Sequence, residues 1–151
     1  MLISEEQVIL IVEDNEDDLV LFRRSALRAG LECKAFWLEH PDRVMAYVGG
    51  SQEFHDRTTY PLPSLVFLSD YLQKKSTLDL LACLVRNPAS SQIPVVVLST
   101  HLPPDFCPLA LALGALQCFG KPPSDSEWET LASLLCSAGL PSPAPPLKEP
   151  D

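Results

Sequence analysis

The pattern of apolar residues along the chain contains four short runs of strand length. They are Val8–Val12, Leu65–Leu68, Pro94–Leu98 and the weaker Leu116–Phe119. These runs do not alternate apolar with polar residues in the way of a strand with one solvated face, and they are typical of strands covered on both faces. A fifth segment, Leu31–Leu38, alternates imperfectly. The pattern therefore predicts five strands.

Helix signals occupy the segments between these strands. Asn15 stands before three acidic residues, an arrangement that caps a helix N-terminus and favours its dipole. Ser124 and Glu127 form a full S-x-x-E capping box in front of apolar residues at helical spacing. The predicted helices run from Asn15 to a stop at Gly30, from Pro41 to Val48 with Gly49 and Gly50 behind it, from Ser76 to Asn87, between Pro104 and Leu113, and from Ser124 to Ala138.

Strands that alternate with helices of this length imply parallel pairing through right-handed crossovers. The predicted fold class is therefore α/β, a doubly wound five-stranded parallel sheet with helices on both faces. Residues 1–138 are expected to form this domain. The composition then changes, and residues 139–151 form a proline-rich tail that is expected to be extended or disordered.

Composition and charge narrow the classes of partner. The chain has 151 residues, enough for one domain, and a formal net charge of -9. This charge disfavours binding to nucleic acid or to an anionic membrane surface. No apolar run reaches bilayer-spanning length, and the acidic N-terminus does not resemble a signal peptide, so a cytoplasmic location is expected.

The cysteines suggest the same compartment. There are five, at positions 33, 83, 107, 118 and 136, with no C-x-x-C pair. An odd number without metal-ligand spacing indicates reduced thiols in a cytosolic protein. Cys118 in particular is interpreted as a packing residue and not as a redox sensor.

Candidate chemistry lies where the predicted strands end, because ligands bind beyond the carboxyl ends of parallel strands. The first strand ends in Glu13 and Asp14, and Lys121 follows the last strand. The third strand ends in Ser69-Asp70 and the fourth in Ser99-Thr100. Carboxylates, hydroxyls and a lysine at one sheet edge suit Mg²⁺ and a phosphoryl group.

Four stretches of the chain carry a further signal by their order and spacing: Val8–Asn15, Pro63–Leu68, Ile93–Ser99 and the step from Gly114-Ala115 to Lys121-Pro122. Together they resemble the receiver domains of response regulators, the CheY-like family of two-component signalling. The resemblance covers roughly Gln7 to Ala138 and implies the strand order 2-1-3-4-5. It also implies a Mg²⁺ site at Glu13 and Asp14, an acceptor aspartate at the end of the third strand, and phosphoryl contacts from Ser99 and Lys121.

The chain departs from that family at the acceptor position. Ungapped alignment puts Ser69 where the aspartate belongs and Asp70 one residue late. In an unbroken strand Asp70 would point away from the pocket that Ser69 faces, and only a bulge would bring it in. Losing one carboxylate ligand should leave Mg²⁺ binding weak. The chain also departs from the family at other positions of the signalling site. Gln73 and Thr77 stand where the family usually has proline and glycine, and Cys118 stands where family members commonly have an aromatic residue that moves with phosphorylation.

The leading hypothesis is a receiver-like module of a single domain, since the chain ends soon after the fifth helix. It is expected to act by protein contact, without catalytic turnover. Its expected partner is a sensor histidine kinase or another signalling protein. A homodimer through the face of the fourth helix, fifth strand and fifth helix is a further expectation. The alternatives are a receiver phosphorylated on Asp70 and, from another class, a flavodoxin-like cofactor-binding enzyme. The acidic loop after the first strand disfavours the latter, because it would repel a flavin phosphate.

Overall fold

The computed structural model describes residues 7–31, 33–70, 76–100 and 104–138. Strands and helices alternate along these residues. The strands are β1 (Val8–Val12), β2 (Lys34–Leu38), β3 (Leu65–Ser69), β4 (Val95–Ser99) and β5 (Gln117–Gly120). The helices are α1 (Glu16–Arg28), α2 (Asp42–Gly49), α3 (Thr77–Arg86), α4 (Phe106–Leu113) and α5 (Asp125–Ala138), with a 3₁₀ turn at Gln52–Phe54. The proline-rich tail predicted over 139–151 and the replacement at Gln73 lie outside the described residues.

The five strands form one parallel sheet in the order β2-β1-β3-β4-β5. In this register Leu10 of β1 lies opposite Val66 of β3, and Ser69 lies opposite Leu98 of β4. Every residue of β1, β3 and β4 is buried. The α/β fold class and the strand order are therefore confirmed.

Two apolar layers cover the sheet, one on each face. On the first face, Leu10, Val66 and Val97 of the strands pack with residues of α2, α3 and α4. On the other face, Ile11 and Phe67 pack with residues of α1 and α5. This alternation of neighbouring strand residues between the two layers explains why the central strands are apolar throughout.

The predicted helix starts are realised as hydrogen-bonded caps. The side chain of Asn15 accepts from the Asp18 N–H, and that of Ser76 accepts from the Asp79 N–H. The Ser124 hydroxyl accepts from the Glu127 N–H, while the Glu127 carboxylate accepts from the Ser124 N–H. These contacts satisfy backbone donors that the first turn of a helix leaves unpaired.

A hydrogen-bond relay joins α1 to α5. The indole Nε1–H of Trp128 donates to the Ser25 hydroxyl oxygen at 2.7 Å, and this hydroxyl donates to the Pro123 carbonyl at 2.7 Å. Trp128 is buried against Phe22 and Phe67. The relay thus pairs the polar atoms of α5 and its preceding loop where they meet an aromatic core.

The end of α2 is closed by an arginine from the following loop. The Arg57 guanidinium donates to the carbonyls of Tyr47 and Val48 at 2.8 Å and to that of Tyr60 at 3.2 Å. Gly50 terminates the helix in the left-handed conformation, at φ 67°. Arg57 therefore supplies side-chain donors to the last carbonyls of α2, of which that of Tyr47 also accepts from the Gly50 N–H.

The cysteines differ from the expectation of five reduced thiols. Cys107 of α4 and Cys118 of β5 form a disulfide, and their Cα atoms are 5.8 Å apart. Among the described residues, Cys33 and Cys83 are free thiols. The earlier interpretation of Cys118 as a packing thiol is corrected accordingly, because α4 brings Cys107 onto β5, a juxtaposition that the spacing of the cysteines along the chain does not reveal.

Candidate functional site

A polar pocket of about 330 Å³ lies at the carboxyl edge of the sheet. It is lined by Asp14, Asn15, Asp18, Asp70, Thr100 and Lys121. These residues follow β1, β3, β4 and β5 or belong to the first turn of α1, so the parallel strands bring them together by ending at one edge. The pocket occupies the position in which the sequence predicted the chemistry.

Lys121 is the centre of the charged groups. Its Nζ atom lies 2.9 Å from Glu13 Oε2, 3.0 Å from Asp18 Oδ2 and 3.5 Å from Asp70 Oδ1. Only 7% of the Lys121 side chain is exposed. One buried ammonium therefore pairs with three carboxylates, which limits the electrostatic stabilisation that each carboxylate receives.

Glu13 is fixed from several sides. Its backbone N–H donates to the Leu38 carbonyl, and its own carbonyl accepts from the Trp37 indole at 2.6 Å. Its Oε1 atom accepts from the Asn15 N–H at 3.0 Å, while Oε2 pairs with Lys121. Both the backbone and the carboxylate of this residue are thus held in one orientation.

The pKa directions of the pair follow from this geometry. Burial raises the pKa of the Glu13 carboxyl above its usual range, and the opposing effects of Lys121, Ser69 and Asn15 do not cancel it. Burial alone would lower the pKa of Lys121, but hydrogen bonds and charges from Glu13 and Asp18 outweigh burial and raise it. The lysine faces several carboxylates, whereas Glu13 shares one lysine with competitors. A raised pKa for both Glu13 and Lys121 is therefore consistent with the geometry of the pair.

Asp70 corrects the sequence prediction that it points away from the pocket. Its Oδ2 atom accepts from the Thr100 N–H at 3.1 Å, and its Oδ1 atom faces Lys121. The side chain is 4% exposed. Strand β3 ends at Ser69, and the Asp70 N–H makes one more ladder hydrogen bond, to the Leu98 carbonyl. Beyond the end of the strand the alternation of a regular strand does not govern the side chain, and the Asp70 carboxylate binds the N–H that follows β4.

Ser69 is buried beside Glu13. Its hydroxyl donates to the Asp70 carbonyl at 3.2 Å and lies within hydrogen-bond reach of the Glu13 carboxylate. Its own carbonyl accepts from the Thr77 hydroxyl at 2.8 Å. Thr77 thus ties the first turn of α3 to the end of β3. Ser69 itself is 0% exposed.

The predicted phosphoryl contact Ser99 and the predicted switch position Cys118 lie outside the pocket lining. Ser99 is buried, and its hydroxyl donates to the Phe119 carbonyl at 3.4 Å. Cys118 lies earlier on β5, in the disulfide with Cys107. The neighbour of Ser99, Thr100, lines the pocket instead and presents its N–H to Asp70.

Asp18 was missed as a site residue, because the sequence placed it with the solvated acidic residues of the α1 start. It is the third residue after the cap Asn15, and its carboxylate pairs with Lys121. That spacing is the signal that could have found it, since the N-cap fixes which residue of the first turn returns to the sheet edge. Asp14, predicted as a metal ligand, does line the pocket.

Together the pocket residues form a negatively charged oxygen site. The carboxylates of Glu13, Asp18 and Asp70 face one ammonium, that of Lys121, and Asp14 lines the pocket beside them. Oxygen donors with excess negative charge fit a hard divalent cation. Across the described ranges, however, no three or more Asp, Glu, His or Cys side chains converge as a preformed metal centre.

The fold and this pocket define the class of protein. A 2-1-3-4-5 parallel sheet whose carboxyl edge gathers an acidic pair after β1, a polar residue at the end of β3 and a lysine after β5 is the arrangement of a receiver domain. None of the described helices combines the length and apolarity that crossing a bilayer requires.

Comparisons with known proteins identify the same family. The chain is 32% identical to the response regulator Rcp1 of Synechocystis over 94 residues, a match that spans 62% of this chain and 62% of that relative. The crystal structure of the phosphorylated cyanobacterial phytochrome response regulator RcpA is similar over 91% of this chain and 99% of that one, at 26% identity and a TM-score of 0.73. The Mn²⁺-bound form of response regulator Rcp1 is similar over 91% and 99%, at 25% identity and a TM-score of 0.70. No family model matches the chain.

The chain is similar in sequence and in fold to the CheY-like receiver domains of response regulators. Its homologues are receivers of two-component signalling, among them phytochrome response regulators. The resemblance drawn from four short motifs is therefore confirmed.

Proposed function

We propose that this chain is an atypical receiver module that signals by protein contact and is a poor acceptor of phosphate. The observation that supports the proposal is that Asp70 is buried and already paired with Lys121, while ungapped alignment puts its buried neighbour Ser69 at the acceptor position. Its partner would be a sensor histidine kinase or another signalling protein, and the module would act without turnover.

The chemistry of the two candidate acceptors supports this proposal. A phosphoryl acceptor must meet its donor, yet Ser69 is 0% exposed and the Asp70 side chain 4% exposed. A serine hydroxyl must also lose its proton before it attacks. Glu13 is the nearest carboxylate, but it is paired with Lys121 and held by Asn15. Neither Ser69 nor Asp70 is therefore both accessible to a phosphoryl donor and activated to attack it.

Intact-mass analysis after incubation with Mg²⁺ and acetyl phosphate tests the proposal. We expect no stoichiometric phosphoryl adduct on the natural chain. Ser69→Asp, which restores a carboxylate beside Glu13, should gain the adduct and keep it in the double variant with Asp70→Asn. A stoichiometric adduct on the natural chain that Asp70→Asn removes would instead establish Asp70 as the acceptor, the alternative favoured by its position in the pocket.

Weak Mg²⁺ binding is part of the same proposal. The predicted ligands Glu13 and Asp14, with Asp18 and Asp70 beside them, would hold the ion, whose charge would offset the excess of carboxylates over the Lys121 ammonium. Because that ammonium already neutralises part of the pocket, affinity should be low. Calorimetric titration with Mg²⁺ should show weak binding that weakens further in Asp14→Asn, and submicromolar binding would contradict the role given to Lys121.

We further propose that the α4-β5-α5 face carries a homodimer contact. Two leucines of α4, Leu109 and Leu111, are 47% and 45% exposed. Burying such side chains would favour association. Light scattering after size exclusion should show a concentration-dependent dimer that Leu109→Ser weakens, whereas the exposed Leu27→Ser on α1 serves as the matched control. A monomer at all concentrations would remove this part of the proposal.

A further inference from the structure

The structure assigns a redox function to the Cys107–Cys118 pair: we propose that it is a reversible disulfide clamp that fixes α4 on β5 and opens when both cysteines are reduced. Cys107 is the second residue of α4, and Cys118 is the second residue of β5. Their Cα atoms are 5.8 Å apart, inside the range that a disulfide bridges without backbone movement. The fold thus holds two cysteines at bonding distance on two different elements.

Both sulfur-bearing residues are within reach of small molecules. Cys107 and Cys118 are half-buried, neither sealed in the core nor fully exposed. Cys107 also lies in the first turn of its helix, where the positive end of the dipole favours the thiolate over the thiol. In contrast, burial raises the pKa of the free Cys33 thiol to about 11, which keeps it protonated and unreactive. The pair is therefore chemically distinct from that free cysteine.

The helix that the disulfide holds is anchored on the core by three residues, the buried Ala110 and the partly buried Phe106 and Leu113. Of the eight residues of α4, all of which the structure describes, only Ala110 is buried. Leu109 and Leu111 are exposed. Gly114 closes the helix in the left-handed conformation at φ 115°, and a side chain there would collide with Val85 of α3. A covalent link at Cys107, in the first turn, should consequently restrict how far that end of the helix can move.

The proposed exchange needs an oxidant of the small disulfide class, such as oxidised glutathione. One cysteine thiolate attacks a glutathione sulfur, forms a mixed disulfide and releases glutathione thiolate. The second cysteine thiolate then attacks the protein sulfur of that mixed disulfide and releases the other glutathione thiolate. The protein loses two thiol protons and two electrons, and oxidised glutathione becomes two reduced molecules. Excess reduced glutathione reverses both steps.

The test equilibrates the whole chain in glutathione buffers from reducing to oxidising, followed by acid quenching, alkylation and intact-mass analysis. The chain has five cysteines, so we expect five alkylated thiols when it is reduced and three when it is oxidised. Peptide mapping should show the Cys107–Cys118 link in the natural chain and in Cys83→Ser, the exposed-thiol control, but not in Cys107→Ser. Amide exchange over 106–113 should speed up at least several-fold on reduction.

Several results would overturn the clamp. Five alkylated thiols under every oxidising condition would show that the pair does not bond, and a link to any other cysteine would show that the pairing is different. Equal exchange over 106–113 in both states would show that the bond does not restrain α4. The redox titration of the natural chain needs no variant, so it decides the matter even if Cys107→Ser fails to fold. It is also independent of phosphorylation.

Discussion

The Nζ atom of Lys121 and the Oε2 atom of Glu13 lie 2.9 Å apart, although β3 and β4 separate the strands that they follow. This pair therefore closes the carboxyl edge of the sheet across two intervening strands. Because both side chains are almost fully buried, removing one partner leaves the other as an uncompensated charge.

We expect Lys121→Met to destabilise the domain by about 3 kcal/mol, because removing one member of a buried ion pair leaves the other as an unpaired buried charge. Urea unfolding followed by circular dichroism measures the change. Lys121→Arg keeps the charge and should cost less than half as much. Equal losses in both variants would mean that shape and not charge governs the site.

The same lysine predicts a loss of stability at alkaline pH. Its pKa in the folded protein lies above the ordinary value of 10.5. Between 10.5 and the folded value the native state holds a proton that the unfolded chain has released, so raising the pH through this window favours unfolding. The contribution is complete below 10.5 and is lost above the folded pKa. Urea midpoints over this range should fall more steeply for the natural chain than for Lys121→Met; parallel curves would contradict the assignment.

Ser25→Ala should destabilise the α1–α5 contact by about 1–3 kcal/mol, because it leaves the Trp128 indole N–H and the Pro123 carbonyl without the hydroxyl between them. Chemical denaturation gives the magnitude. Ser133→Ala on the exposed side of α5 is the control and should change stability little. If the two variants unfold alike, the relay contributes nothing.

Arg57→Lys should lose about 1–2 kcal/mol even though the charge is kept, since an ammonium cannot reproduce the planar fork that spans three carbonyls. Thermal unfolding monitored at the aromatic residues around Tyr47 provides the readout. Arg86→Lys, on the exposed side of α3, is the matched substitution. An unchanged melting temperature in Arg57→Lys would show that the carbonyls find water instead.

The fold was predictable because its signals are local. The apolar run Val8–Val12 is the strand observed, and the caps at Asn15, Ser76 and Ser124 begin helices where they were expected. Other strand boundaries shifted by one to three residues: β4 begins at Val95 and not at Pro94, and β2 begins at Lys34 and not at Leu31. Proline lacks the N–H of a central strand residue, which accounts for the first shift.

The site was predictable in position but not in orientation. Parallel strands placed Glu13, Asp14 and Lys121 at one edge, as the alternation of elements required. The direction of Asp70 depended on where β3 ends and on the Thr100 N–H opposite it, which is tertiary information. The disulfide likewise depended on how α4 lies against β5. Sequence patterns therefore did not predict which side chains from different strands and helices contact one another.

The way in which Glu13 is pinned has a consequence for ligand entry. Folding has already ordered this residue, because Leu38 and Trp37 hold its backbone while Asn15 and Lys121 hold its carboxylate. A cation that binds in the pocket would thus contact a preorganised Glu13 oxygen that does not change its orientation. The adjustable carboxylate is that of Asp18, whose side chain is 32% exposed. Rearrangement on binding would start on the α1 side of the cleft and leave the β1 side rigid.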